Sequence, residues 1–221
     1  MTATQPSHDF TAMRQAMVAS QLRTTAVTDP RVVAAMADVP RERFVPEGAG
    51  ALAYRDTAVD LGQGRAANSP LATGRLLVAA RLSPTDRVLL IGAAGGYTAA
   101  VCARLVAGVV AVEAQPALAA LARATLAELG NVTLVEGPLE QGHADGAPYD
   151  VLLVDGAVEE LPMALVGQLA EGGRIATGLV ERGVVRLASG VRTGETFALQ
   201  PFADFHAAPL PGFARAKAFT F

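Results

Sequence analysis

Tryptophan is absent from this chain of 221 residues, cysteine occurs once, histidine three times, and aromatic residues make up only 5%. Each scarcity excludes something. The one cysteine, Cys102, allows no internal disulfide and no cysteine-based metal site. Its apolar neighbours Val101 and Ala103 predict a plain buried thiol. His8, His143 and His206 are too scattered for a metal cluster, so no metal is expected and each reads as a loop or surface residue. The shortage of aromatics removes the stacking platforms that single-stranded nucleic acid needs. A net charge of -3 without a concentrated basic block argues against any phosphate-backbone partner. Met1 to Leu22 carries His8, Asp9 and Arg14 and no sustained apolar stretch. Neither a signal peptide nor a membrane span is predicted there, and a cytoplasmic location is expected.

What the chain does have is Ala, Val and Leu. Hydrophobic residues reach 51%, enough for one well-buried core of the α/β kind. One domain, 1–221, is expected, with 1–82 as a helical extension and loop and 83–221 as a sheet. Helical spacing predicts helices over 9–23 and 29–37, the second capped by Thr28 or Asp29 with Pro30 in its first turn. The stretch from Pro40 to Pro70, rich in Gly, Pro and Asp, reads as an irregular connection. Residues 57–70 are expected to act as a lid, with Gly62 and Gly64 as flexible points. From there helices near 71–82, 97–106, 116–129 and 162–170 alternate with strands near 87–91, 109–113, 132–136, 150–155 and 173–177. Val184 to Ser189 and Ala216 to Phe221 read as strands without an intervening helix, an antiparallel edge on a mostly parallel sheet.

The most informative stretch is Arg87-Val-Leu-Leu-Ile-Gly-Ala-Ala-Gly-Gly-Tyr97 followed by Val109-Val-Ala-Val-Glu113. A buried strand turns through small residues into a helix, and the next strand ends in a carboxylate 21 residues beyond Gly92. That is the spacing at which an acid grips the ribose hydroxyls of an adenosine-bearing ligand. A dinucleotide fingerprint starting at Gly92 would need glycines where Ala94 and Tyr97 stand, so NAD is the weaker reading. Gly92-x-x-x-Gly96 with an acid closing the next strand looks like the S-adenosylmethionine loop of Rossmann-like methyltransferases. Gly95-Gly96 alone would be an ordinary strand-to-helix turn.

Four further blocks carry an independent resemblance: Met17-Val-Ala-Ser-Gln-Leu-Arg23, Val27-Thr-Asp-Pro-Arg-Val-Val-Ala-Ala-Met36, Val39-Pro-Arg-Glu-Arg-Phe-Val-Pro-Glu47 and Ala53-Tyr-Arg-Asp56. With Asn131-Val-Thr-Leu-Val, Pro148-Tyr-Asp150 and Gln168-Leu-Ala-Glu-Gly-Gly-Arg174, the chain from about residue 10 to 178 resembles the protein-L-isoaspartate O-methyltransferases. The resemblance implies a seven-stranded methyltransferase sheet with helices on both faces. It also implies methyl transfer from S-adenosylmethionine, leaving S-adenosylhomocysteine, to an isoaspartyl carboxylate of a damaged protein or peptide. Such a carboxylate is already ionised at neutral pH, so positioning matters more than proton transfer.

Onto this chain the resemblance carries Gly92, Ala93, Ala94, Gly96 and Tyr97 in the loop, Glu113 and Ala114 at the next strand end, Pro138 and Leu139, and Asp155 as cofactor-binding residues. The family's acceptor loop, Gly-x-Gly-Gln-Thr-Ile-Ser-x-Pro, becomes Gly62-Gln-Gly-Arg-Ala-Ala-Asn-Ser-Pro70, which puts Asn68 in the catalytic serine's position with Ser69 beside it. Asn68 and Ser69 either orient the acceptor or cap the helix that follows. Leu90, Ala94 and Pro138 replace an acid, a glycine and an acid of the family pattern. Asp155 either contacts substrate, compensates for Leu90, or caps the turn beside Gly156. The alternatives are a degenerate homologue that binds a ligand or partner without turnover, and a methyltransferase for another substrate. The oligomeric state is open.

Overall fold

The computed structural model describes residues 9–215. Helix α1 (Phe10–Met17) is capped by Asp9, whose carboxylate accepts from the Ala12 N–H at 3.0 Å, and it runs on through a π turn at Val18–Leu22. Helix α2 (Pro30–Asp38) uses Asp29, the second of the two candidate caps, with Pro30 in the first turn where no amide donor is needed. Strands β1 (Val59–Gly62) and β2 (Arg65–Ala67) pair as an antiparallel hairpin, and helix α3 (Pro70–Ala79) follows with Ser69 as its cap.

Strands β3 (Arg87–Ile91), β4 (Gly108–Glu113), β5 (Val132–Glu136), β6 (Tyr149–Val158), β7 (Leu169–Glu181), β8 (Val184–Thr193) and β9 (Thr196–Asp204) build one seven-stranded sheet in the order β5-β4-β3-β6-β7-β8-β9. The strands from β5 across to β7 pair in parallel, and β8 and β9 add an antiparallel edge. Helices α4 (Tyr97–Cys102), α5 (Pro116–Leu126) and α6 (Met163–Val166) lie in the crossovers. Alternate residues of β3 serve opposite faces, as a pleated strand covered on both sides requires. Val88 and Leu90 join the cluster holding Met17, Leu22, Met36 and Leu77, whereas Leu89 and Ile91 join the cluster holding Leu139, Leu165, Leu210 and Phe213.

Strand β3 is flanked by β4 on one side and β6 on the other. The chain steps outward to β5 and returns across the sheet to β6, so a crevice opens at the carboxyl ends of β3 and β6, where α/β sheets bind ligands. Gly92, Glu113 and Asp155 border it.

Some elements differ from expectation. The strand expected at 216–221 lies outside the described residues, as does His8; the seventh strand is β9. As an edge strand exposed along most of its length, β9 carries no sustained apolar run to announce it. The connection before Pro70 is not irregular throughout, since it holds the 3₁₀ turns Arg41–Phe44 and Gly50–Leu52 as well as the β1–β2 hairpin. The helix expected over 162–170 is the single turn α6, because Leu169 already belongs to β7. Helix α4 stops at Cys102, not 106. Cys102 is fully buried, and burial pushes its thiol up. His143 is half-buried and His206 exposed. No helix among the described residues is long and apolar enough to cross a membrane.

Candidate active site

The loop after β3 is set by its glycines. Gly92 has φ +82° and Gly96, the residue before α4, has φ +98°, both left-handed conformations that side chains rarely adopt. Gly92 and Ala93 each donate to the Val112 carbonyl at 3.0 Å, so the loop is stitched to β4 before it turns. A Cβ on Gly95 would run into the Phe44 carbonyl of the 41–44 turn, which binds the N-terminal extension to the loop. Leu90 is a fully buried residue of β3 in register with Ala111 and Leu153, so the position where the family pattern has an acid is core here.

Glu113 ends β4 and is completely buried. Its Oε1 accepts from Arg65 Nη1 at 2.6 Å and from the Ala114 and Gln115 amides at 3.0 Å each; its Oε2 accepts from the Ala94 amide at 2.7 Å and from Arg65 Nη2 at 3.1 Å. The carboxylate thus holds the glycine loop and the start of α5 together. A carboxylate offers about four lone-pair sites, so these donors leave none for a ribose diol. Arg65 comes from β2 and is itself buried, and its position is the Gln of the family's acceptor loop. Its Nε has no hydrogen-bond partner among the described residues.

On the other side of β3, Asp155 accepts from Thr98 Oγ1 at 2.5 Å and from Asn68 Nδ2 at 2.8 Å. Burial raises its pKa, opposed by those two donors and by the nearby Arg41 and Arg65. Asn68 is buried with both ends of its amide engaged, because its Oδ1 accepts from the Ala208 amide at 2.8 Å. A carboxylate on one side and a peptide N–H on the other admit only this orientation of the amide. Arg41, also buried, donates from Nε to the Ala53 carbonyl at 2.8 Å and from Nη2 to the Asn68 carbonyl, with its guanidinium 4.5 Å from the centre of the Tyr97 ring. Ser69 caps α3 by accepting from the Ala72 amide at 3.3 Å.

The crevice at the switch point holds one more side chain. Leu210 donates its amide to the Ala157 carbonyl at 2.9 Å, while the Ala157 amide donates to the Ala208 carbonyl at 2.6 Å, so residues 208–210 run along the end of β6. The Leu210 methyls lie where a Cβ on Gly92 would meet them at 3.0 and 3.1 Å, and Leu210 also covers Gly156. The cavity left among Arg41, Asn68, Ala94, Tyr97 and Asp155 is about 10 Å³, no more than one water's space. Larger concavities of about 450 Å³ lie elsewhere, beside Arg31, Asp38 and Arg104 and beside Arg75 and Phe202.

Of the residues singled out in the sequence, Gly92, Ala93, Ala94, Gly96, Tyr97, Glu113, Asp155, Asn68 and Ser69 gather at this edge of the sheet. Ala114 is exposed beside Glu113. Pro138 is exposed and precedes a 3₁₀ turn whose Leu139 is buried, and the Gly137 amide donates to the Glu113 carbonyl at 3.0 Å, which places this turn beside the same strand end. Sequence reasoning missed Arg65, Arg41, Thr98 and Leu210. Arg65 had a signal, a cation in a loop that otherwise follows a neutral pattern. Leu210 had none, since its contact with Gly92 joins distant parts of the chain.

A mostly parallel sheet with a glycine-turned loop at its switch point and an acid closing the neighbouring strand defines a Rossmann-like methyltransferase fold. The chain belongs to the protein-L-isoaspartate(D-aspartate) O-methyltransferase family, whose sequence model matches residues 12–194. It is 41% identical to the protein-L-isoaspartate O-methyltransferase of Roseiflexus castenholzii over 206 residues, covering 92% of this chain and 94% of the relative. It is 39% identical to protein-L-isoaspartate O-methyltransferase 1 of Rhodopseudomonas palustris, covering 92% and 84%. Among solved structures, a protein-L-isoaspartate O-methyltransferase shares the fold with a TM-score of 0.79 at 24% identity, over 90% of this chain and 66% of that one. One from Plasmodium falciparum, in complex with S-adenosyl-L-homocysteine, has a TM-score of 0.76 at 19% identity, over 89% and 97%. The family is one of S-adenosylmethionine-dependent carboxyl O-methyltransferases.

Against that membership, the residues at the switch point do not accommodate S-adenosylmethionine in this conformation. Glu113 is saturated by donors from the chain itself, and Leu210 lies against Gly92 where the ligand would approach the backbone.

Proposed function

We propose that this chain methylates isoaspartyl carboxylates of damaged proteins or peptides, using S-adenosylmethionine, as a cytoplasmic repair enzyme built on one domain. The observation that carries the reading is the family match over residues 12–194, which takes in the acceptor loop, the glycine loop and Glu113 together. The cofactor side falls to the loop Gly92 to Tyr97, to Glu113 and Ala114, to Pro138 and Leu139, and to Asp155. Asn68, with Ser69 beside it, takes the acceptor side, where an amide N–H orients a carboxylate oxygen. In this arrangement the Asn68 side chain is pinned from both sides, since its Nδ2 donates one N–H to Asp155 and its Oδ1 accepts from the Ala208 amide, which leaves the second Nδ2 N–H for an acceptor. The charge balance argues against nucleic acid, and the family match supports a protein or peptide acceptor.

The test is transfer of radiolabelled methyl groups to an isoaspartyl peptide, with the aspartyl isomer as control. Base-labile label on the isoaspartyl peptide alone is expected, and Asn68→Ser should increase it by shortening the side chain that ties the loop to Ala208. No transfer by the native chain or this variant would contradict the reading and favour a module that binds a ligand or partner without turnover.

A further inference from the structure

The Arg65–Glu113 pair and Leu210 lie on two sides of the same crevice. Arg65 sits on the Glu113 carboxylate, the acid expected to hold a ribose, and Leu210 sits against the backbone of Gly92. We infer that Arg65 and Leu210 are a built-in occupant of the cofactor cleft, so that ligand entry and the closed arrangement exclude each other. This inference rests on the S-adenosylmethionine use proposed above.

Three observations support it. Charge complementarity is complete: a guanidinium placed in fork geometry against a carboxylate competes directly with neutral hydroxyl donors for the same oxygens. The fork is nevertheless imperfect, since the Arg65 Nε is buried without a hydrogen-bond partner among the described residues, which makes the closed arrangement easier to displace than a satisfied core arginine. Finally, the two halves of the occupant are joined through the acceptor loop. Arg65 and Asn68 are on one short segment, and Asn68 Oδ1 holds the Ala208 amide two residues before Leu210. Withdrawal of residues 207–210 therefore uncovers Gly92 and frees the Asn68 Oδ1 in one motion, linking cofactor entry to one of the two bonds that pin the acceptor-loop side chain. Leu210 lies beyond residues 12–194, which match the family model.

When the competent state is only a fraction of the population, the apparent affinity falls by that fraction, and removing the occupant restores it. Calorimetric titration with S-adenosylhomocysteine of the native chain, Arg65→Gln and Leu210→Ala tests this. Both variants should bind at least about tenfold more tightly than the native chain. Leu210→Ala leaves the Arg65–Glu113 pair intact and keeps the test open if Arg65→Gln does not fold. Equal affinity in the native chain and Leu210→Ala, or no binding by any of the proteins, overturns the inference. Methyl transfer is read separately. Variants that bind tightly but label no isoaspartyl peptide overturn the proposed activity and leave the occupant standing, whereas efficient transfer with unchanged affinities does the reverse.

Discussion

Glu113 is committed to structure as much as to any ligand. It accepts five hydrogen bonds from the chain, two of them charged. Removing one partner of a buried ion pair leaves the other charge stranded, typically at about 3 to 5 kcal/mol, whereas replacing both with apolar residues is often close to neutral. Urea unfolding should therefore show Glu113→Ala destabilised by about 3 kcal/mol or more, and the double change Arg65→Met with Glu113→Leu should recover only the stranded-charge part of that loss, because the buried Ala94 amide still loses its acceptor. Asp155 gives a pH signature. Because burial raises its pKa in the fold, the native state keeps this proton to higher pH than the unfolded chain, so stability falls as pH rises from about 4 through the native value. Asp155→Asn removes that dependence, and its stability relative to the native chain should rise between pH 4 and neutrality in parallel melts. A difference that does not change with pH would contradict the assignment. Glu113 was legible in the sequence because an acid closing a strand has a known use. What could not be read was that Arg65 would reach it first.

At the scale of elements, the legible parts were those whose local chemistry decides them. Pro30 behind Asp29 and Pro70 behind Ser69 mark helix starts with both a fixed φ and a side-chain acceptor, and both helices begin where expected. Asp29 binds the Arg31 amide at 2.8 Å and the Arg31 side chain, and this hydrogen bonding to Arg31 holds its carboxyl below the usual range. A lowered native pKa means its contribution is present above the ordinary carboxylate value and is lost as pH falls through the native one. Asp29→Ala should cost about 1 kcal/mol at neutral pH and less in acid, measured by denaturant midpoints. The elements that escaped reading are those that tertiary contact creates: the β1–β2 hairpin, whose buried Arg65 looks like a surface residue in the sequence, and β9, whose partner β8 provides its hydrogen bonds and whose outer face stays wet. Residues 57–70, expected as a lid, form the β1–β2 hairpin, whose Arg65 donates to Glu113 at the end of β4 and whose tip is held by Gln115 Nε2 donating to the Gln63 carbonyl at 3.2 Å.

At the scale of the whole molecule, the mostly parallel sheet with its antiparallel edge was legible in the sequence, because alternating βαβ units constrain topology strongly. The state of the crevice was not. It depends on contacts between residue 65 and residue 113, and between residue 210 and residue 92, that no local pattern encodes. The methyltransferase cleft is closed by the chain's own side chains, Arg65 and Leu210, and ligand must displace them. Hydrogen exchange at the Ala208 and Leu210 amides, with and without saturating S-adenosylhomocysteine, tests it most directly. Those amides now donate to Asn68 Oδ1 and the Ala157 carbonyl. Ligand should protect residues 92–96 while exchange at Ala208 and Leu210 becomes faster. Increased protection at both places would mean that the ligand binds with residues 207–210 still seated, and would contradict it.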